Sequence, residues 1–297
     1  MNERARTAVT VLGLGSMGSA LAAAFVGAQY VTTVWNRSQE RAAALAAKGA
    51  IQQPKIADAV AASPVIISCF STFEATRESL ADVDLRGRDL ITLNSASPAE
   101  ARDFARWAAE RGARLLAGAI KNVPSAVGNP DTLLYFGGDR EVFDDHADTL
   151  RTLGGNLEFL GPEPDLAALY ESAVGATLLP ALLGFLEGAA ILATRGYQAR
   201  TMVGYSVQWL QMIESVLPVV ADEIDSRDYT HLGSSIELFQ HAIDQDVQLA
   251  AESGVDLSWH TPMHELIQRA VDEGRGRQSI TALIELLARP SGSVVAQ

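Results

Sequence analysis

The feature that most constrains this chain is a glycine-rich turn that stands between an apolar run and an alanine-rich run. Residues 8–12 read Ala-Val-Thr-Val-Leu, residues 13–18 read Gly-Leu-Gly-Ser-Met-Gly, and an alanine-rich stretch covers residues 19–26. This order predicts a buried strand, a tight turn and the start of a helix. Between a strand and a helix, the G-x-G-x-x-G spacing indicates a dinucleotide-binding fold rather than an ordinary turn.

The three glycines have separate expected roles. Gly13 permits the tight turn, Gly15 lets backbone amides approach a pyrophosphate, and Gly18 lets the helix pack closely on the strand. The helix N-terminus adds partial positive charge that attracts phosphates. The turn residues predicted to bind the cofactor are Gly13, Leu14, Gly15, Ser16, Met17 and Gly18.

The end of the second predicted strand indicates which dinucleotide is bound. Residues 31–35 lead into Asn36, Arg37 and Ser38, and Arg41 follows one turn later. Sites for NAD usually carry Asp or Glu here, to accept hydrogen bonds from the ribose 2′-hydroxyl, and this strand end has no acid. Arg37 can pair with a 2′-phosphate, to which Asn36 and Ser38 can donate hydrogen bonds. The sequence therefore favours NADPH over NADH, although Ser38 can also cap the next helix.

Composition limits the class of partner and the compartment. The chain has 297 residues, enough for two domains, and 48% of them are hydrophobic. A formal net charge of −13 argues against nucleic acid or an anionic membrane as a partner. Cys69 is the single cysteine, residues 1–6 lack a signal-peptide apolar region, and the five histidines form no cluster with metal-ligand spacing. We therefore expect a cytoplasmic protein without a disulfide or a metal ion.

Residues 173–193 form an apolar segment about as long as a bilayer span. Glu187, Pro180 and three glycines weaken a membrane interpretation, because a helix that is apolar all round can equally be buried between domains or subunits. We expect the second arrangement and no membrane contact. Two roles stay open for Glu187, an interface ion pair or an ordinary polar residue.

The first half of the chain alternates predicted strands and helices. Strands are expected at residues 9–12, 31–35, 65–70 and 89–93, with weaker candidates at 114–116, 132–136 and 157–160, and helices at 39–48 and 98–111. This alternation predicts an α/β fold with a doubly wound sheet, whose ligands bind at the carboxyl ends of the strands. That rule places beside the dinucleotide Cys69, Phe70, Ser71, Asn94 and Ser95.

The pattern becomes helical after Pro162-Glu163-Pro164. Helical periodicity continues to Ala288, and Asp165 can cap a long helix that ends near Thr194. A helix this long and apolar would be poorly covered in one chain, which indicates an obligate dimer. The predicted parts are a dinucleotide-binding domain over residues 1–162, a helical dimerisation and substrate domain over 163–297, an interdomain helix over 165–194 within it, and a frayed tail over 290–297.

Six motifs along the chain match a known family. They are Gly13–Gly18 with Met17, Trp35-Asn36-Arg37-Ser38, Gly118-Ala119-Ile120-Lys121-Asn122-Val123-Pro124, Gly128-Asn129-Pro130-Asp131, Leu134-Tyr135-Phe136-Gly137-Gly138 and Leu166-Ala167-Ala168-Leu169-Tyr170. Through them the chain resembles the imine reductases, relatives of the β-hydroxyacid dehydrogenases, over nearly its whole length. The resemblance implies an N-terminal Rossmann domain, an all-α C-terminal domain and a homodimer that exchanges the helical domains. Each active site would then lie between one subunit's cofactor domain and the other's helical domain.

The residue after Tyr170 separates the two related enzyme classes. β-Hydroxyacid dehydrogenases carry a lysine there and imine reductases usually carry Asp or Tyr, whereas this chain has Glu171. A lysine would repel a cationic iminium, whereas a carboxylate attracts it and can donate a proton. The same helix face is otherwise apolar or small, so a carboxylate is costly there unless it lines a pocket. We expect Glu171 to be catalytic; the alternative is a solvated glutamate near a helix start.

Further positions are expected to line the substrate pocket. Family members often hold Tyr or Trp two turns after the acid, where this chain has Leu179, and Gly118 replaces the family's usual acid. Asn94 matches a polar family position near the nicotinamide but can also be a strand-end turn residue. Tyr170 and Trp209 can also be packing residues. The predicted pocket residues are Asn94, Ser95, Val123, Tyr170, Leu179 and Trp209.

The sequence thus predicts an NADPH-dependent imine reductase. Hydride would pass from the nicotinamide to a cyclic imine or iminium, with Glu171 as the cation stabiliser or proton donor. Two alternatives stay open at this point. One is a β-hydroxyacid dehydrogenase-like oxidoreductase, which the missing lysine disfavours, and the other is an NADPH-binding protein that has lost catalysis.

Overall fold

A computed structural model describes residues 7–289, so the predicted frayed tail lies outside the described residues. Strands alternate with helices in the first part of the chain, and helices alone follow. The chain divides into two compact units, Met1–Ala176 and Thr177–Gln297, which we call the sheet unit and the helical unit. The predicted α/β class with a helical C-terminal part is confirmed. The predicted domain boundary after residue 162 stays a prediction.

The sheet unit is built on one eight-stranded sheet. Its strands are β1 (Val9–Leu12), β2 (Thr32–Trp35), β3 (Ile51–Gln52), β4 (Val65–Ser68), β5 (Asp89–Thr92), β6 (Arg114–Lys121), β7 (Leu133–Gly138) and β8 (Asn156–Gly161). Their order in space is β3-β2-β1-β4-β5-β6-β7-β8. Neighbouring strands run parallel except β6 and β7, which pair antiparallel.

Seven helices accompany the sheet in the described part of this unit. They are α1 (Ser16–Gly27), α2 (Gln39–Ala46), α3 (Ile56–Ala61), α4 (Phe73–Leu80), α5 (Pro98–Glu110), α6 (Arg140–Leu150) and α7 (Leu166–Gly175), with a 3-10 turn at Pro124–Ala126. All seven predicted strands are present, and β6 is longer than predicted. The two-residue strand β3 escaped prediction because it is too short to have a periodic pattern.

Burial explains why the central strands form. Every residue of β1, β4 and β5 is buried, as expected for parallel strands covered on both faces. One apolar layer includes Leu21 and Phe25 of α1, and the other includes Leu80 of α4 and Phe104 of α5. The sheet therefore completes two apolar layers within one chain.

The sheet has a topological switch point between β1 and β4. β1 pairs with β2 on one side and with β4 on the other, so the connections leaving β1 and β4 diverge. A crevice opens at the carboxyl ends of strands at such a point. β1 leads into the glycine turn and β4 leads into Cys69, which brings these two segments to one edge of the sheet.

The helical unit contains α8 (Leu178–Ala193), α9 (Val203–Ser226), α10 (Ile236–Ser253), α11 (Thr261–Asp272) and α12 (Ile284–Leu287), with 3-10 helices at Ala199–Met202, Ser258–His260 and Ile280–Leu283. Within residues 177–289 the structure has no strand, only an isolated bridge between Ser235 and Ser279. A small buried cluster includes Tyr229, Ile236 and Ile267.

The helix predicted over residues 165–194 is interrupted. α7 ends at Gly175 and α8 begins at Leu178, with a turn at Ala176 and Thr177 between them. Pro180 explains the interruption, because proline has no N–H to donate to the carbonyl of Ala176. The boundary between the two units falls at the same turn.

By length and composition alone, one helical stretch, Leu166–Ala193, could cross a membrane. No residue of its most apolar window is buried in the single chain. Length and composition do not separate a membrane span from a helix covered by another protein surface. The stretch is therefore an apolar surface that the single chain leaves exposed.

Candidate active site

Two adjoining cavities lie where β1, β4 and β5 end. The nucleotide cavity, about 350 Å³, is lined by Gly13, Leu14, Gly15, Asn36, Arg37, Ser38, Arg41, Cys69, Phe70, Ser71, Ala75, Glu78 and Ser79. The reaction cavity, about 450 Å³, is lined by Gly15, Ser16, Met17, Gly18, Cys69, Phe70, Ser71, Leu93, Asn94, Ser95, Ala119, Ile120, Asn122 and Glu171. Every residue predicted to bind the cofactor lines one of the two cavities.

The glycine turn is fixed by close backbone contacts. Gly13 has φ +86°, and a Cβ atom there would lie 2.7 Å from the carbonyl oxygen of Cys69. A Cβ at Gly18 would lie 1.9 Å from the carbonyl oxygen of Gly13, so the third glycine closes the turn on itself. A Cβ at Gly15 would meet no atom within 4 Å. The turn is therefore tightly packed on its protein side and open at Gly15, on the wall of both cavities.

The first turn of α1 has no side-chain cap among residues 7–289. Gly15 is the N-cap residue and has no side chain to accept a hydrogen bond. Amide groups in a helix's first turn have no partner within the helix. Together with the helix dipole, these free amides form an anion-binding position at the turn.

Asn36 has a structural role that the sequence did not predict. Its side-chain oxygen accepts a hydrogen bond from the amide of Leu14 at 2.8 Å, and its side-chain nitrogen donates to the carbonyl of Ser38 at 3.0 Å. Arg41 also donates to the carbonyl of Leu14, at 3.4 Å. Asn36 therefore ties the glycine turn to the end of β2, in addition to lining the nucleotide cavity.

Two arginines line the nucleotide cavity, and one of them has no partner among the described residues. Arg37 is exposed and forms no hydrogen bond or ion pair with another residue in the described range 7–289. The hydroxyl of Ser38 instead donates to Glu40 at 3.0 Å and does not cap α2. Arg37 is therefore free to pair with a phosphate, whereas Ser38 is engaged with a neighbouring carboxylate.

Asn94 presents an unsatisfied acceptor at the reaction cavity. Its side-chain nitrogen donates to the carbonyl of Thr72 at 3.1 Å and to the hydroxyl of Thr76 at 2.9 Å. Its side-chain oxygen is buried and has no hydrogen-bond partner among the described residues. A buried acceptor of this kind normally has a partner, so a donor on a bound molecule would satisfy it.

Glu171 of α7 places a half-buried carboxylate on the wall of the reaction cavity. The hydroxyl of Ser95 donates to its Oε1 at 3.1 Å, and the ammonium of Lys121 donates to its backbone carbonyl at 3.3 Å. Burial, and then the charge of Glu171, raise the pKa of the Tyr135 hydroxyl to about 12. The carboxylate therefore has one fixed hydrogen-bond donor and influences a neighbouring phenol.

Cys69 lines both cavities but has no thiolate to offer. Burial raises the pKa of its thiol to about 11, so the sulfur stays protonated at neutral pH. Its contribution to the site is the carbonyl group that packs against Gly13.

Four of the predicted pocket residues do not line either cavity. Val123 is 59% exposed beside the 3-10 turn, and Tyr170 lies with its ring centroid 6.3 Å from that of Tyr135. Leu179 on α8 and Trp209 on α9 belong to the helical unit, where both are largely exposed. Within the described chain, the reaction cavity is therefore built from the sheet unit alone.

Several residues that line the cavities were not predicted from the sequence. Ala119 and Ile120 lie near the end of β6 and Asn122 just after it. Ala75, Glu78 and Ser79 all belong to α4. The rule that ligands bind at carboxyl strand ends could have found the first group, once β6 was predicted to reach Lys121.

The structure explains one departure from the family pattern. Gly118 lies on β6 opposite Phe136 of β7, and a Cβ there would lie 2.4 Å from the Phe136 ring. An acidic side chain at this position would therefore need Phe136 to move. The close approach of Phe136 therefore leaves no room for the family's usual acid at this position.

Comparisons with known proteins agree with this architecture along the chain. The family described as "NADPH-dependent reductive aminase-like, C-terminal domain" matches residues 163–289, and "NAD binding domain of 6-phosphogluconate dehydrogenase" matches residues 8–161. The chain is 30% identical over 283 residues to an NADPH-dependent reductive aminase of Aspergillus oryzae, with 93% of this chain and 96% of that protein covered.

Solved structures of a reductive aminase and an imine reductase are also similar to this chain over nearly its whole length. A reductive aminase from Aspergillus terreus in complex with NADPH4, cyclohexanone and allyl amine is 31% identical, with a TM-score of 0.89 over 95% of this chain and 99% of that one. An imine reductase from Aspergillus terreus in complex with NADPH4 and dibenz[c,e]azepine is 32% identical, with a TM-score of 0.87 over 94% and 99% of the two chains.

Proposed function

We propose that this chain, which belongs to the family of reductive aminases and imine reductases, reduces C=N bonds to amines with NADPH. It is an NADPH-dependent oxidoreductase. The observation that carries the proposal is the Glu171 carboxylate, which lies on the same cavity wall as the glycine turn and Asn94.

The residues present fit NADPH. The open side of Gly15 and the uncapped first turn of α1 suit the pyrophosphate, and Arg37 is free for the 2′-phosphate. The unpartnered oxygen of Asn94 suits a hydroxyl or amide donor at the nicotinamide end. When bound, NADPH supplies the hydride that the imine carbon receives.

Glu171 accounts for the charge requirement of the reaction. An imine nitrogen that has gained a proton is cationic, and a carboxylate beside it stabilises that cation before and during reduction. The hydrogen bond from Ser95 holds Oε1 in place, and the carboxylate keeps further lone pairs for an N–H donor. Glu171 therefore either stabilises the protonated imine or delivers the proton to nitrogen.

The second unit supports an assembly proposal. Large apolar side chains are exposed along α8 and α9, including Leu179, Leu186 and Trp209. Exposed apolar surfaces of this extent mark interaction sites. We infer that residues 163–297 form a homodimer by exchanging helical domains, in the cytoplasm and away from membranes. Leu179 and Trp209 of one subunit would then border the reaction cavity of the other.

A cofactor and substrate comparison tests the proposed reaction. Full-length protein is assayed for NADPH and NADH consumption with a small cyclic imine, and for NADP⁺ reduction with small hydroxyacids. We expect imine reduction with kcat/KM at least about tenfold higher for NADPH, because Arg37 pairs with the 2′-phosphate. Hydroxyacid oxidation without imine reduction, or NADPH binding without any turnover, would contradict the proposal.

A further inference from the structure

The helical unit gathers two histidines and an aspartate that lie apart in the sequence. Asp246 is on α10, His260 ends the 3-10 helix Ser258–His260, and His264 is on α11. Oδ2 of Asp246 lies 3.2 Å from Nδ1 of His260 and 3.2 Å from Nε2 of His264. One ligand atom from each of the three residues lies within 4.8 Å of the others, and all three side chains are partly buried.

We propose that Asp246, His260 and His264 bind a divalent zinc ion. Zinc bonds to histidine nitrogen and carboxylate oxygen are about 2.0–2.2 Å, so two ligands of a tetrahedral site lie about 3.3 Å apart. The two 3.2 Å separations, which without a metal ion are hydrogen bonds, are close to that spacing. Two imidazoles and one carboxylate also form a common ligand set of zinc sites that keep an open position.

The environment of His260 supports this assignment independently. Its Nε2 lies 2.8 Å from Oε2 of Glu187, and the indole N–H of Trp259 donates to the same oxygen at 2.8 Å. Histidine ligands of metals usually donate their second ring N–H to a carboxylate, which fixes the tautomer. With Nδ1 on zinc, His260 donates through Nε2 to Glu187.

The proposed site explains why a carboxylate, Glu187, stands within an apolar helix. A carboxylate within the apolar helix α8 is costly unless it is paired. Glu187 has a partly buried side chain and orients a zinc ligand, while Trp259 holds it in place. The interaction joins α8 to the end of the 3-10 helix.

Beside Asp246 and His264 there is room for a water molecule as a fourth ligand. A cavity of about 280 Å³ borders Asp246 and His264, and it is also lined by Val247, Ala250, Val255, Asp256, Leu257 and Ser258. The cavity gives the ion a path from solvent. Because the ligands come from α10, α11 and the helix before it, a bound ion would fasten these elements together and stabilise the helical unit.

Calorimetric titration with zinc chloride tests the site. Tag-free, full-length protein is first dialysed against a chelator and then into metal-free buffer. We expect one zinc ion per chain. His264→Ala and Asp246→Asn should each weaken binding at least about 100-fold, because each removes a ligand. Glu187→Gln should weaken binding about 10-fold, because it disturbs only the orientation of His260.

His241→Ala is the matched control. His241 also lies on the helical unit, but it is exposed on α10 and outside the cluster. This variant should bind zinc as the unchanged protein does. Zinc should raise Tm in the unchanged protein and in His241→Ala, and not in His264→Ala.

Cobalt chloride provides a readout that does not depend on the variants' folding. Cobalt bound by two imidazoles and a carboxylate in a tetrahedral site has intense visible absorption, which zinc should abolish by displacement. No zinc binding by the unchanged protein, or equal zinc binding by folded His264→Ala, would overturn the proposal. The three side chains would then form a hydrogen-bonded cluster only.

Discussion

The sheet unit and the helical unit bury their apolar residues to very different extents. Every residue of β1 and β4 is buried, whereas α8 has no buried residue and the only buried residue of α9 is Glu223. The sheet unit therefore completes its core within one chain and lines both cavities. The apolar faces of α8 and α9 need another surface to cover them. Substitutions in the close-packed glycine turn should therefore affect cofactor binding nearby. Substitutions on the exposed faces of α8 and α9 should affect the association of subunits.

The largest effect is expected at the turn. Gly18→Ala puts a Cβ 1.9 Å from the carbonyl oxygen of Gly13, so the turn must open. We expect NADPH affinity, measured by fluorescence titration, to fall at least about 100-fold, while the oligomeric state stays that of the unchanged protein. Gly27→Ala is the control, because a Cβ there meets no atom within 4 Å. Unchanged NADPH affinity in Gly18→Ala would show that the turn is not rigid.

The second prediction tests the uncovered face. Leu186 on α8 is 61% exposed in the single chain. If the proposed homodimer covers this face, Leu186→Asp should yield a monomer, because dimerisation would bury the introduced charge. Analytical ultracentrifugation measures the mass. Val31→Asp, at a residue 56% exposed on the sheet unit, should remain a dimer. If the unchanged protein is a monomer, or if Leu186→Asp is a dimer at the same concentration, the exposed face of α8 is not the dimer interface.

The third prediction concerns cofactor choice in the sheet unit. Arg37→Ala removes the free guanidinium of the nucleotide cavity. The KM for NADPH should rise about 10- to 100-fold while the KM for NADH stays within about twofold, because only NADPH has the 2′-phosphate. Steady-state kinetics with both cofactors measure this, with the exposed Lys48→Ala as control. Equal changes in both KM values would assign Arg37 a structural role.

Glu223 is the exception to exposure in α9. Its carboxylate accepts hydrogen bonds from the amides of His231 and Leu232, at 2.7 and 2.8 Å, and from the hydroxyl of Ser279. Burial alone would raise the pKa of Glu223, but these hydrogen bonds outweigh it and lower the pKa from 4.5 to about 2. The folded state therefore favours the charged form of the Glu223 carboxylate.

The smallest effect is expected from this carboxylate. Because its pKa is lower in the folded state, it stabilises the fold above about pH 4.5, and that stability is lost as pH falls from 4.5 towards 2. Glu223→Gln should lower the free energy of unfolding at pH 7 by about 1–3 kcal/mol and flatten its dependence on pH below 4.5. Urea denaturation at several pH values measures both effects. The exposed Glu214→Gln should leave the pH dependence as it was, and an identical pH dependence in Glu223→Gln would contradict the assignment.

Local sequence signals predicted the parts of the site that are local in the structure. Gly13, Gly18 and Arg37 lie within or next to two strand ends, and the alternation of strands and helices was enough to place them at one edge. The same rule placed Cys69 and Asn94 on the cavity walls. Short-range backbone preferences and apolar periodicity determine these features.

Contacts between distant residues could not be predicted from the sequence. Ser95 and Glu171 are 76 residues apart, and their hydrogen bond depends on how α7 packs beside the sheet. The cluster of Asp246, His260 and His264 was missed for a similar reason, since Asp246 precedes His260 by 14 residues. The spacing of His260 and His264, four residues apart on consecutive helical turns, was an available signal. The helix interruption at Ala176 could also have been predicted, because Pro180 follows four residues later.

We propose that Glu171 serves the chemical step and not cofactor binding. A single-turnover experiment tests it most directly: NADPH-loaded protein is mixed with a small cyclic imine, and NADPH loss is followed in unchanged protein, Glu171→Gln and the exposed control Glu110→Gln. We predict that Glu171→Gln binds NADPH normally but transfers hydride at least about 100-fold more slowly, whereas Glu110→Gln is unaffected. Hydride transfer at the same rate in Glu171→Gln would contradict this account.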